Sequence, residues 1–196
     1  MRGRGSAAAT RSGLLGELRR STGARHRRLD HALGLGRELL TRDRYTAFLT
    51  GSLRVLVVLE PALATWPDAY GTALRVASLR SDLHALGSEG DPGRDAIAVP
   101  SSVGEAFGAA YVVEGSALGG RVLAPVVERA LGYGAPTSYL RLRGESTHAH
   151  WQQWLARLSM FDTHAQGDEC EAACAMACAT FDAYTRALAP AMQVPA

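Results

Sequence analysis

The stretch YVVEGSALGGRVL, residues 111–123, carries Gly115, Gly119 and Gly120 in what otherwise reads as the middle of a long helix. Each glycine costs about 1 kcal/mol relative to alanine in a helix interior. Something must therefore use the bare backbone. Gly115 and Gly119 are four apart and share one face, with Gly120 beside them. Two uses are open. A neighbouring helix can cross in the notch, or a flat ligand can lie against the backbone, aided by a local kink that turns carbonyls or amides toward it. Spacing alone favours the crossing.

Outward from this segment the pattern is helical nearly everywhere. Leu15, Leu18, Thr22, His26, Leu29 and Leu33 recur at three and four, one buried stripe of a first helix. A second helix is expected after the capping Thr41, carrying Phe48, Leu49, Leu53, Leu56, Val57 and Leu59 until Pro61 disturbs it. A third covers about Ala69 to Leu86. Gly87 to Pro100 is the long loop, and PSSVGEAF then opens the glycine-bearing helix with serine in the capping position. After GYGAPTS comes a helix with Leu140, Trp151, Trp154, Leu155 and Leu158, and a last helix runs from about Asp168 to Leu188. No period-2 alternation is sustained and no repeat occurs. The pattern predicts one all-α domain, a single-domain helical bundle over residues 14–190.

Composition narrows the function classes. A chain of 196 residues with 47% hydrophobic content fills one core, and a net charge of +2 does not argue for nucleic acid. All 21 basic residues are arginine, and eight of them fall between Arg2 and Arg28. Residues 1–13 read as a disordered tail without the apolar run of a signal peptide, and no stretch has 18 uninterrupted apolar residues. The expectation is a cytoplasmic protein with neither nucleic-acid nor membrane partner. Cys170, Cys174 and Cys178, four apart along one side of a helix, read as small core-facing hydrophobes.

Among the histidines, His26 stands out because it occupies the apolar stripe of the first helix, where imidazole is either a hydrogen-bonded core group or a metal ligand. Arg19 lies one to two turns upstream on nearly the same face, placed to meet an anionic group of a ligand centred over His26.

LRRSTGARHRRLD, residues 18–30, together with YVVEGSALGGRVL resembles the two signature helices of the heme oxygenases, most closely the bacterial type that accompanies bacteriophytochromes. The resemblance extends from about Leu14 to Leu188 and includes HWQQWLARL, residues 150–158. It implies a bundle that sandwiches heme b between a proximal and a distal helix. His26 matches the iron ligand in a setting that includes Thr22, and Gly115, Ser116, Gly119 and Gly120 match the distal helix. Arg19 matches a propionate partner, and Arg157 is a looser second candidate. Heme would be both cofactor and substrate, cleaved with O2 to biliverdin, carbon monoxide and ferrous iron. The electrons would come from an external donor, a ferredoxin-type protein or other reductase, with a bacteriophytochrome as the partner that receives the bilin. Mammalian members carry aspartate where this chain has Ser116 and serine where it has Leu118; serine at the former position is the habit of the phytochrome-associated type. The proton relay is thus left between Ser116 and a carboxylate such as Glu114.

Two other classes compete. Glu145 and His148 form one Glu-x-x-His, as used by di-metal oxidases, but no second such motif supplies the matching set. A heme-binding or phytochrome-docking protein without turnover would retain the same His26 and glycines.

Overall fold

The SxxE of Ser102 to Glu105 shows how sequence sets the frame. The Ser102 hydroxyl accepts the Glu105 amide at 3.2 Å, and the Glu105 carboxylate reaches back to the Ser101 amide at 2.6 Å. Both side chains thereby satisfy amides that the first turn leaves open. The resulting helix runs 29 residues. In the computed structural model, which describes residues 13–34, 41–71, 74–91, 93 and 96–192, it is the fourth of seven α-helices. In order these are α1 Leu14–Leu33, α2 Arg42–Leu63, α3 Arg75–Ala85, α4 Val103–Leu131, α5 Thr147–His164, α6 Gly167–Ala187 and α7 Ala189–Met192. A 3-10 turn, Gly144–Ser146, precedes α5, and no strand occurs among the described residues. The all-α bundle expected from periodicity is what is found. Residues 1–12 of the expected tail lie outside the described residues, and Gly13 is the N-cap of α1.

α4 packs most intimately on α6. A Cβ at Gly104 would run into the Glu169 side chain and carbonyl, and one at Gly108 into the Ala173 carbonyl, so these two glycines form the close crossing. α2 supplies much of the core through Leu49, Leu53, Leu56, Leu59 and Leu63, each at most 1% exposed. It has the length and hydropathy of a membrane span, yet it packs against α3, α4, α6 and α7 inside the bundle.

Three boundaries differ from the sequence reading, each for a local reason. Pro61 does not end α2, because the Ala64 amide still reaches the Glu60 carbonyl at 3.0 Å and closes one more turn. The third helix starts at Arg75 rather than about Ala69. Ala69 and Tyr70 fold into a turn on the Trp66 carbonyl, and the Trp154 indole takes the Ala69 carbonyl at 2.8 Å. Leu140 is not helical: the Asp82 carboxylate accepts the amides of Ser138 and Tyr139 at 3.0 and 2.8 Å and staples that turn to α3. Gly144, at φ 48°, then allows the reversal into α5. The long last helix, Gly167–Ala187, agrees with its expected span to within one residue at each end and is followed by the short α7.

Arg44, buried at the start of α2, donates to the Leu33 carbonyl at 2.9 Å and the Ala191 carbonyl at 3.2 Å, tying the ends of α1 and α7 together. Cys170, Cys174 and Cys178 are half-buried and in no disulfide; the Cys178 sulfur lies 3.6 Å from the Ser21 carbonyl of α1.

Candidate functional site

A cavity of about 690 Å³ opens among α1, α2, α4 and α6, within the size range of small-molecule and cofactor sites. Its walls are largely apolar, with Leu29, Leu33, Phe48, Leu123 and Phe181 among them. Two sets of sequence candidates meet in it: His26 from α1, and Gly115, Ser116, Gly119 and Gly120 from α4.

His26 is not buried in its stripe. Leu18, Thr22 and Leu33 are buried, whereas the His26 side chain is 61% exposed, because the helix turns that position toward the cavity mouth. Its ring meets Phe181 edge-on at 5.7 Å. Its Nδ1 lies 2.7 Å from Asp30 Oδ2, one helical turn away. With Nδ1–H donated to that carboxylate, the lone pair sits on Nε2, the arrangement that orients a metal-ligating imidazole and raises its basicity.

The glycines of α4 divide by use. A Cβ on Gly119 would meet nothing within 4 Å, and one on Gly115 would make only ordinary contact with Trp151 at 3.7 Å. Gly120 differs: a Cβ there would lie 2.7 Å from the Leu140 carbonyl oxygen, so this glycine admits the 138–143 turn. Bare backbone thus borders the cavity at Gly115 and Gly119. Ser116, between them, donates its hydroxyl to the Val113 carbonyl at 2.7 Å.

Three candidates lie elsewhere. Arg19 is exposed on α1 and is not part of the cavity lining. Thr22 is buried, with its hydroxyl donated to the Leu18 carbonyl at 2.6 Å, and also lies outside the lining. Arg157, on α5, donates to the Pro67 carbonyl at 3.4 Å and contributes nothing to the wall. Glu145 and His148 are exposed, and Glu145 pairs with Arg121 at 3.4 Å. Among the described residues no group of three His, Cys, Asp or Glu is placed to hold a metal ion, so the di-metal reading finds no ligand set there.

Sequence reasoning missed the polar end of the cavity. Arg75, Ser52, Tyr139 and Tyr184 line it. The Tyr184 hydroxyl and Arg75 Nε are buried without a hydrogen-bond partner in the structure. Burial raises the Tyr139 and Tyr184 hydroxyls above the usual phenol range, so both remain protonated donors. Behind this wall Glu114, 2% exposed, receives Arg75 Nη2 at 2.9 Å, Arg143 Nη2 at 3.4 Å and His150 Nε2 at 3.1 Å. One signal was available: Glu114 is the only charged residue between Glu105 and Arg121, in an otherwise apolar helix.

The site has an imidazole with one nitrogen fixed and the other open, a bare-backbone span, apolar walls and protonated hydroxyls. These features suit a flat, largely apolar ligand that carries a metal.

No protein-family model matches the chain. It is 34% identical over 133 residues to a heme oxygenase of Xanthomonas campestris pv. campestris (strain 8004), covering 63% of this chain and 77% of that protein. In fold it is similar to the NO- and CO-bound heme oxygenase from Neisseria meningitidis, with a TM-score of 0.75, 20% identity and 92% of each chain covered. It is also similar to heme oxygenase from Leptospira interrogans, with a TM-score of 0.69 and 18% identity over 90% of this chain and 98% of that one. With a curated relative at that identity and coverage, and a bundle that superposes along nearly its whole length, the chain belongs to the heme oxygenase family.

Proposed function

We propose that the cavity binds heme b and that the protein cleaves it, with O2 and electrons from an external donor, to biliverdin, carbon monoxide and ferrous iron. The observation that carries this reading is His26: its Nδ1 is held by Asp30, its other nitrogen is open, and it shares one cavity with the bare backbone of Gly115 and Gly119. Family membership supplies the reaction class.

The residues present fit the group. His26 would hold the iron through Nε2, and Gly119, where a Cβ would meet open space, lets backbone approach a flat ring. Bound heme supplies both the oxygen chemistry and the carbon skeleton that is opened. The chain's own part is placement, exclusion of bulk water and proton supply. The apolar walls keep the ligand's body dry, while Tyr139, whose hydroxyl interacts with Ser52 and Ser116, forms a polar edge beside the glycines. We assign proton delivery to Tyr139 and Ser116. Glu114 is not the relay in this reading, because its carboxylate is already engaged by two guanidiniums and an imidazole.

Arg19 is retained as a propionate partner: it is exposed on the same helix as His26, seven residues earlier, and its long side chain is free to swing at small cost. Thr22 packs one turn below His26 and supports its helix from the buried side. Arg157 has no support from the cavity lining. On the sequence resemblance alone, we assign the biliverdin as bilin chromophore to a bacteriophytochrome.

Titrating the purified chain with hemin tests the assignment. A Soret band at one heme per chain is expected, and ascorbate or a ferredoxin-type donor should then release biliverdin. His26→Ala should lose the imidazole-ligated spectrum and about tenfold or more in affinity, with helical circular dichroism unchanged because the side chain is exposed. An unaltered Soret band in that variant removes His26 from the site, and binding without turnover makes the protein a heme carrier.

A further inference from the structure

Three glycines in the six positions from Gly115 to Gly120 make this a weak run of α4, since each gives up helix propensity and contributes no side-chain packing of its own. Both ends of the run are nevertheless tied. At the C-terminal end Gly120 lies against the Leu140 backbone. At the N-terminal end the adjoining residue is Glu114, gripped by Arg75 from the first turn of α3, Arg143 from the turn before α5, and His150 from α5 itself. Arg75 is 1% exposed, and its backbone amide and that of Val76 sit on the Glu60 carboxylate of α2, each at 2.9 Å. α3 and α5 therefore meet α4 at the residue where the open span begins, with α2 holding Arg75 from behind.

Such a knot is a poor device for stability alone. A buried and a part-buried guanidinium on one buried carboxylate carry a desolvation cost that an apolar cluster of the same volume avoids, and replacing buried ion pairs by apolar groups is often neutral or stabilising. What a charge-assisted cluster supplies is direction, because its hydrogen bonds are satisfied in one arrangement. We propose that Glu114, with Arg75, Arg143 and His150, is a positioning device: it sets the height and rotation of the Gly115–Gly119 backbone over the cavity, so that the span moves with α3 and α5 instead of flexing by itself. This inference rests on the heme reading of the cavity for its consequence, but not for its structural content.

Amide hydrogen exchange on the full chain, with and without hemin, tests it. Glu114→Gln leaves Arg75 and Arg143 short of a counter-charge and can fail to fold, so Arg143→Gln and His150→Ala, which keep the Arg75–Glu114 pair, are the deciding variants. Each should raise exchange at amides 115–120 about tenfold or more over wild type while core amides of α2 and α6 are unchanged. Arg143→Lys, which keeps a charge, should restore part of the protection. In the hemin-loaded protein the same variants should weaken affinity several-fold and release a mixture of biliverdin isomers. Exchange that rises evenly along the chain, or not at all at 115–120, overturns the proposal, whatever hemin does. A wild-type chain that binds no hemin overturns the heme reading, and the exchange pattern still decides the positioning role.

Discussion

At the scale of single residues, the pair His26 and Asp30 separates binding from folding. Both side chains are more than 60% exposed, so their 2.7 Å contact contributes little to stability. For a metal bound at Nε2 the same contact matters more, since losing the partner of a ligating imidazole typically costs ten- to a hundredfold in affinity. Asp30→Asn should therefore weaken hemin binding by about tenfold while the apoprotein melts at the wild-type temperature. Equal affinity would mean that the carboxylate merely decorates the helix. The position of His26 was legible in the sequence, because the three-and-four spacing places it on the α1 face that meets the bundle. Its exposure was not. Periodicity gives an angle about the helix axis but says nothing of whether the opposing surface is protein or cavity. Asp30 was likewise visible only as the end of a motif.

At the scale of the element, α4 uses one residue type for two purposes. Gly104 and Gly108 admit the backbone of α6, while a Cβ at Gly119 would meet open space and one at Gly115 only ordinary contact with the Trp151 ring. The helix crossing weighed at the outset is thus found in this helix at Gly104 and Gly108, a few turns before the bare backbone that a flat ligand would need. Gly119→Ala should stabilise the apoprotein by up to about 1 kcal/mol, since only propensity changes, and slow or misdirect ring opening where the added methyl meets the ligand. Gly108→Ala should do the reverse, destabilising by roughly 1 to 3 kcal/mol as helices are forced apart, with residual folded protein still binding hemin. Urea denaturation of both, beside a hemin titration, checks the pair; a destabilised Gly119→Ala would refute the open-space assignment. The existence and type of the long helices were readable from spacing and caps, as at Ser102 and Thr41. The starts of α3 and α5 were not, because they are decided by Trp154 reaching the Ala69 carbonyl and Asp82 reaching the 138–143 turn, partners 85 and 56 or 57 residues away.

At the scale of the whole molecule, pH acts through the buried polar knot. Burial first, and then the nearby Arg143 and Arg157, lower the His150 pKa below its ordinary 6.5, against the opposing pull of Glu114. The unfolded chain therefore binds the extra proton more readily than the folded one. His150 contributes stability that is complete above the unfolded pKa and is lost as pH falls through and below about 6.5. Thermal melts of the apoprotein from pH 8 to 5 should decline on the acid side, and His150→Gln, whose amide can still donate to Glu114, should flatten that decline; an identical slope in the variant would place the sensitivity elsewhere. The aromatic wall of the cavity has a further consequence. Trp151 lines it and stacks on Trp154 with ring centroids 5.0 Å apart, whereas Trp66 does not line it. A coloured ligand arriving beside Trp151 would drain the emission of that stacked pair by energy transfer, so the protein carries its own optical gauge. Stopped-flow fluorescence could time ligand arrival and product departure without any attached dye.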